Sequence, residues 1–468
     1  MASTTDIRRL VLNDHKLSTL ILTFDHTLNI PQLAYALSVN VCVKEVVVYI
    51  DETFMPRFPL HEIRSLLEIL GAIPSLQRLC FNSRSGFDGV ISIQALVFAL
   101  TRATRLSSFA VSDLKLTGDE YDWSLFAEQL QRVVYMKSFC IIECELVMSR
   151  PDLERRSERE NALIRREYPL DPLLMVLSIL PCMEKIYLHS TRSGGLGKIS
   201  PQAAGALLLS RSLEVLKMRD FDIGLDTLQS MARMLQINRK VYDLKVGTTT
   251  QFDATAAKAI ASMLEVNTTL TCLEMGLSKM ISDECAQIVA KALKVNKGLK
   301  TFAMTEEKAE GATAPSQPVT AACKAAFVDT LRSNYVLENF VLFQRFPVKP
   351  EFKLFVTLNK LGRGRLLLNE EIDPEKWVQA LEAVNDDIDA IFYYMSINPD
   401  LCSLALENMK ERDSKTPATA KTAKAKGKGK TRASPRTRKN PSSTTSPTTT
   451  RAAARSRKRQ RRANGTVI

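Results

Sequence analysis

Residues 241–275 read VYDLKVGTTTQFDATAAKAIASMLEVNTTLTCLEM. An apolar hexad, Val241-x-x-Leu244-x-Val246, opens the stretch, and a second, Leu270-x-x-Leu273-x-Met275, closes it. Alternation within each hexad predicts a strand with one face turned to a core. Between them, residues 253–267 (DATAAKAIASMLEVN) are Ala-rich with apolar residues at three-and-four spacing, which predicts a helix with Asp253 as its N-cap. One strand and one helix form a unit that cannot cover its own apolar face, so it has to stack on copies of itself.

Copies run along most of the chain. Going outward from this stretch, hexads start at Leu17, Val43, Leu76, Leu106, Met136, Met183, Leu213, Val241, Leu270, Leu299 and Leu337, with periods of 26, 33, 30, 30, 47, 30, 28, 29, 29 and 38 obtained by subtraction. Residues 282–296 (SDECAQIVAKALKVN) repeat the helical pattern, with Ser282 at the N-cap position. Asn40, Asn238, Asn267, Asn296 and Asn334 each fall three residues before a hexad. Asn tolerates left-handed backbone, so these residues are expected to close the helices in that conformation. The long periods hold a charged excursion at 150–168 and a loop at 308–318 (KAEGATAPSQP).

This array resembles leucine-rich repeats of the ribonuclease-inhibitor-like class over residues 17–345. The resemblance implies an α/β solenoid of about eleven strand–helix repeats, with a parallel sheet on its concave face. That class places Asn or Cys at the ninth position counted from the hexad start. Here the position holds Asp25, Asp51, Arg84, Leu114, Cys144, Thr191, Phe221, Thr249, Ser278, Glu307 and Arg345, of which Cys144 alone matches. The turn ladder is therefore expected to be largely missing and the curve looser. Residues 1–16, with Ile7-x-x-Leu10-x-Leu12, read as an N-terminal cap strand. Residues 346–413 read as a helical C-terminal cap, with Trp377, Leu381 and Val384 on one helix and Ile388, Ile391, Phe392, Tyr393 and Met395 on the next. Gly362-Arg363-Gly364-Arg365 lies within that apolar cap, which favours a structural role over an RNA-binding Arg-Gly box.

The net charge of +13 is unevenly distributed. Residues 414–468 hold 17 Lys/Arg and no acid, so 1–413 keep 64 − 17 = 47 basic against 51 acidic residues. The tail also lacks Leu, Phe, Trp, Tyr, Met and Cys, and a chain of that composition is expected to be disordered. Within it, Arg455, Arg457, Lys458, Arg459, Arg461 and Arg462 form a cluster suited to an import receptor's acidic groove, which points to the nucleus, with shuttling to the cytoplasm compatible. The same cluster suits salt-sensitive contact with nucleic acid. No aromatic residue interleaves with it, so base stacking is not offered.

Catalytic and metal signals are weak. His15, His26, His61 and His189 fall in no catalytic motif. Nine cysteines are scattered without a CxxC pair, a pattern of reduced thiols that lacks the ligand set for zinc. Gly194–Ile199 (GGLGKI) fails as a phosphate loop, because Arg192 takes the first glycine position and Ile199 that of the magnesium-holding hydroxyl. No apolar run is long enough to span a bilayer, and MASTTDIRRL lacks a signal-peptide core. No enzyme activity, cofactor or membrane association is expected.

Strand alternation directs the fifth and seventh hexad positions to solvent. In the middle repeats this groups Lys185, Tyr187, His189, Lys217, Arg219, Tyr242 and Lys245 on neighbouring strands, an aromatic and basic patch suited to an acidic protein surface. Glu184, Glu214 and Asp243 stand close enough in sequence to neutralise part of it. A non-enzymatic interaction scaffold follows as the leading expectation. Two alternatives remain: a GTPase-activating protein of the nuclear-transport type, whose family carries an acidic tail, and a ubiquitin-ligase substrate receptor, for which residues 1–16 leave little room for an adaptor-binding module.

Overall fold

The computed structural model describes residues 4–24, 29–50, 60–83, 89–148, 170–189, 197–219, 221, 223–248, 252–277, 281–306, 320–343, 350–360, 362–364, 381, 388–397 and 403. The excursion at 150–168, the loop at 308–318, Trp377 and the basic tail at 414–468 lie outside the described residues.

Eleven strands form one parallel sheet in chain order. They are β1 (Thr19–Phe24), β2 (Glu45–Ile50), β3 (Arg78–Ser83), β5 (Ser108–Ser112), β7 (Ser138–Ile142), β9 (Lys185–His189), β10 (Val215–Arg219), β11 (Asp243–Thr248), β12 (Cys272–Leu277), β13 (Thr301–Glu306) and β14 (Asn339–Leu342). The fourth hexad residues stand opposite one another at all ten strand interfaces, from Leu20 and Val46 at one end to Phe302 and Phe340 at the other. The hexad is thus the register device. A slip of one residue in any repeat would turn its apolar set to water.

Helices alternate with these strands and cover one face of the sheet. Asp253 Oδ1 accepts from Ala256 N at 2.8 Å to start the helix Ala254–Val266, and Ser282 Oγ accepts from Cys285 N at 3.3 Å to start Asp283–Val295. Between helices and sheet run two aromatic clusters. Phe109 stacks on Phe139 at 5.9 Å, with Phe81, Phe126 and Trp123 around them. Phe302 stacks on Phe340, also at 5.9 Å, with Phe327 and Phe352 alongside.

Three features differ from the sequence reading. Residues Thr4–Val11 form a helix, not a strand. A helix places Ile7 and Leu10 on one side, burying Leu10, while Leu12 stays exposed, and Asn13 (φ 52) ends it in left-handed backbone. Second, three short strands, β4 (Val90–Ser92), β6 (Lys115–Gly118) and β8 (Glu145–Met148), make a separate parallel sheet. Left-handed turns at Asp113 (φ 57) and Glu143 (φ 55) lead from β5 into β6 and from β7 into β8.

Third, the asparagines before the hexads are extended, with φ/ψ of −66/135 at Asn238, −80/120 at Asn267 and −68/128 at Asn296. Their side chains explain why. Asn267 Oδ1 accepts from Thr269 N and Leu270 N at 2.9 and 2.7 Å, while its Nδ2 donates to Leu235 O of the preceding repeat at 2.5 Å. Asn296 donates to Leu264 O and Asn267 O at 2.6 and 2.9 Å, and Asn334 to Leu293 O and Asn296 O at 2.6 and 3.0 Å. Asn359 adds another rung on Asn334 O at 2.9 Å. A ladder is therefore present, carried at the helix-to-strand corner and not at the ninth position. Arg363 finishes it: fully buried, its guanidinium donates to Leu331 O and Asn334 O at 2.6 and 2.9 Å and lies against the rings of Tyr335, Phe355 and Tyr393.

Candidate functional site

The sheet face opposite the helices carries the outward-pointing strand side chains. Along β9 the alternation holds: Ile186 and Leu188 are buried beneath the helices, while Lys185, Tyr187 and His189 are half-buried on the other side. The parallel register sets Tyr187 opposite Lys217, Lys217 opposite Lys245, and Lys245 opposite Glu274. His189 faces Arg219, and Lys185 faces Val215, which in turn faces Asp243. With strands about 4.8 Å apart, six of the seven sequence-selected residues share one patch on three adjacent strands. The seventh, Tyr242, is 40% exposed and stands just ahead of β11, at the edge of that patch.

The cations are held in place by acids of the same face. Lys217 Nζ lies 3.2 Å from Asp243 Oδ2 and 5.1 Å from the centroid of the Tyr187 ring. Lys245 Nζ lies 2.5 Å from Glu274 Oε2, and Arg219 pairs with the other oxygen of the same carboxylate. Arg219 and Glu274 are two strands apart. The guanidinium reaches because Gly247 and Gly276, opposite each other on β11 and β12, place no side chain in the way. Within β9 to β12, four cations (Lys185, Lys217, Arg219, Lys245) thus stand with two carboxylates (Asp243, Glu274), and Glu184 and Glu214 lie just ahead of β9 and β10. Sequence reasoning counted Asp243 among the neutralising acids but passed over Glu274. Its fifth hexad position, in line with Lys217 and Lys245, was the available signal.

Burial of Tyr187 raises its phenol pKa, with the acid of Asp243 adding to the effect, so the ring stays neutral as a contact surface. Toward β1 the same face turns apolar and small: Ile21, Val47, Cys80, Ala110 and Cys140 occupy the fifth position. Burial pushes the Cys80 and Cys140 thiols up to about 11, which keeps them protonated and unreactive. Cys144, the one match at the ninth position, is buried beside Val111 O and Ile142 O, and its thiol is pushed up to about 12.

The other sequence signals resolve structurally. Gly197 takes left-handed backbone (φ 87), Ile199 is buried, and Ser200 caps the helix Pro201–Leu209 by accepting from Ala203 N at 3.1 Å. Among the described residues, no group of three or more His, Cys, Asp or Glu is arranged to hold a metal ion. Among the same residues, no helix is long and apolar enough to cross a membrane. Arg455, Arg457, Lys458, Arg459, Arg461 and Arg462 lie outside the described residues.

Eleven in-register parallel strands, each followed across the array by a helix on one face, define a leucine-rich-repeat solenoid. No protein-family model matches the chain, and no curated protein matches it. Among solved structures, the leucine-rich-repeat domain of APL1B is 11% identical, with 65% of this chain and 70% of that one covered and a TM-score of 0.27. A TLR13 complex with a single-stranded RNA is 12% identical, with 60% and 35% covered and a TM-score of 0.31. The actin-binding site 2 of leiomodin-1 is 17% identical, with 36% and 91% covered and a TM-score of 0.28. At these scores the assignment of fold rests on the strand order and register of the chain itself.

Proposed function

We propose that this chain is a protein-interaction scaffold whose strand face at β9 to β12 binds a partner with an acidic surface. The observation that carries the reading is the patch of Tyr187, Lys217, Arg219 and Lys245, in register on adjacent strands and ordered by Asp243 and Glu274. A preordered cation loses less side-chain entropy on binding than a free one, and an acidic group on a partner can replace Glu274 or Asp243 as its counter-ion. Tyr187 and Tyr242 supply contact area at low entropic cost, with Lys185 and His189 at the margins. Under this reading the basic tail serves nuclear import through Arg455, Arg457, Lys458, Arg459, Arg461 and Arg462, and adds salt-sensitive contact with polyanions.

The test is capture from nuclease-treated extract with the full chain and with its Lys217→Glu/Arg219→Glu variant. The reading expects a discrete protein retained by the first and lost by the second, with circular dichroism showing that the variant remains folded. Equal retention would remove the strand-face assignment. Replacing the six tail cations by Ala is expected to shift a fluorescent fusion from nucleus to cytoplasm, and undiminished nuclear signal contradicts the import role.

A further inference from the structure

A second surface stands apart from the strand face. The last helical residue of five consecutive repeats, or its equivalent, is a large aliphatic: Ile179, Leu209, Ile237, Val266 and Val295. All five are 52 to 63% exposed. Each stands immediately before the corner residue, Leu180, Ser210, Asn238, Asn267 or Asn296, and the asparagine ladder ties the later corners together. The five side chains therefore recur at one place per repeat and form a ridge along the helix-to-strand edge.

The fold does not require this. The same position holds Val39, Ala72, Arg102 and Arg132 in the repeats before the ridge and Ser333 in the one after it. Exposed large aliphatics at this position thus run unbroken through a block of five, with Val39 (37% exposed) standing apart from them, where a scatter of single exposed apolar residues would need no explanation. The rim of the block is basic. The residues directly after the corners include Arg211, Arg239, Lys240 and Lys297, all exposed, and no acid occupies those turns (211–212, 239–240, 268–269 and 297–298). The last helical turns add Lys294, paired with Asp329, and Glu265.

We propose that this ridge docks an acidic amphipathic helix of a partner protein, laid across the repeats. Packed helices sit about 8–10 Å apart, and a helix advances about 10.5 Å in seven residues, so an apolar side chain at every seventh position meets one ridge residue per repeat. Acidic residues beside that apolar line then face the corner cations. The basic tail at 414–468, with no acidic residue, does not have the required chemistry. This inference does not depend on the strand-face reading.

The experiment is selection from a displayed library of helices about 28 residues long, roughly 42 Å and four heptads, with apolar positions fixed at every seventh residue and the others randomised. Each selected peptide is then synthesised and titrated against the full chain by fluorescence anisotropy. Selected peptides are expected to be enriched in Asp and Glu, and to bind Ile237→Ser/Val266→Ser at least tenfold more weakly. Arg239→Glu/Lys297→Glu should weaken binding similarly, whereas Lys217→Glu/Arg219→Glu should bind as the parent chain does. Absence of enrichment, enrichment without acidic bias, or insensitivity to the ridge substitutions overturns the proposal. Vesicles of phosphatidylcholine with phosphatidylserine are run in parallel. Ridge-dependent sedimentation with them, and no peptide selected, assigns the surface to lipid instead. Self-association lost on Ile237→Ser/Val266→Ser, again with no peptide selected, assigns it to a second copy.

Discussion

The repeats from Leu76 to Met183 and those from Val241 to Leu337 close the same corner by different means. In the earlier block the corner positions are Ile73, Ala103, Val133 and Leu180, and the backbone does the work: Leu106 N donates to Ala103 O at 3.3 Å, and Met136 N to Val133 O at 3.1 Å. In the later block an asparagine side chain takes that N–H, as at Val241 on Asn238 Oδ1 at 2.8 Å, and its amide reaches back to the preceding repeat. The first solution ties each repeat to itself and leaves cohesion between repeats to the sheet and to packing, visible in the stack of Phe81, Phe109 and Phe139. The second adds a polar thread between repeats. That block also has regular helices of 13 residues. A strand–helix array is thus held by nearest-neighbour terms whose chemistry can change along its length.

The largest effect that could break this comparison is expected at Phe109, fully buried between repeats of the earlier block. Phe109→Ala should cost about 3–5 kcal/mol by chemical denaturation, as large-to-small changes in packed cores do. A loss under about 1 kcal/mol would mean that packing does not hold that block together. Next is Asn267→Ala, which leaves buried backbone groups of two repeats without partners and should cost roughly 3 kcal/mol. The reciprocal change sharpens the contrast. Ala103→Asn places an amide in a closed apolar corner and should destabilise, and any stabilisation would show that the ladder transplants freely. A smaller effect, on the order of 2 kcal/mol, is expected for Arg363→Met, since it removes the guanidinium bonds to Leu331 O and Asn334 O at the end of the thread, the latter keeping its bond from Asn359. Hydrogen exchange should then rise at β14 before it rises at β5.

The smallest is at the opposite end. The Arg9 side chain, hydrogen-bonded to Asp14 at 2.8 Å, holds the Asp14 carboxyl below the usual carboxylate range. A depressed folded-state pKa gives a contribution present above the unfolded value and lost as pH falls through the folded one. Asp14→Asn should therefore slightly flatten the acid limb of the stability profile. In so solvent-accessible a pair a large change would be unexpected.

Much of this was legible in the residues. Period-two hexads at regular spacing carry strand, face and register together, because a slip exposes every apolar side chain at once. The asparagines were legible as a position but misread as a conformation. Backbone preference is local, whereas their bonds reach about thirty residues back, as from Asn238 to Leu208. Ile7, Leu10 and Leu12 fit either period over so short a run, and only the burial of Leu10 with exposure of Leu12 separates helix from strand. Strands of three and four residues, as in β4, β6 and β8, are too short to leave a periodic mark. On the strand face, alternation located the cations, but the Arg219–Glu274 pair spans two strands and depends on the missing side chain of Gly247, a relation visible only once the register is known.

The central claim is that β9 to β12 form the partner-binding face. Amide hydrogen exchange of the full chain, alone and with the captured protein, tests it most directly. Protection confined to peptides covering Lys185–His189, Val215–Arg219, Asp243–Thr248 and Cys272–Leu277 is the predicted result. Protection in the helices or in residues 414–468, with those four strands unchanged, would contradict it.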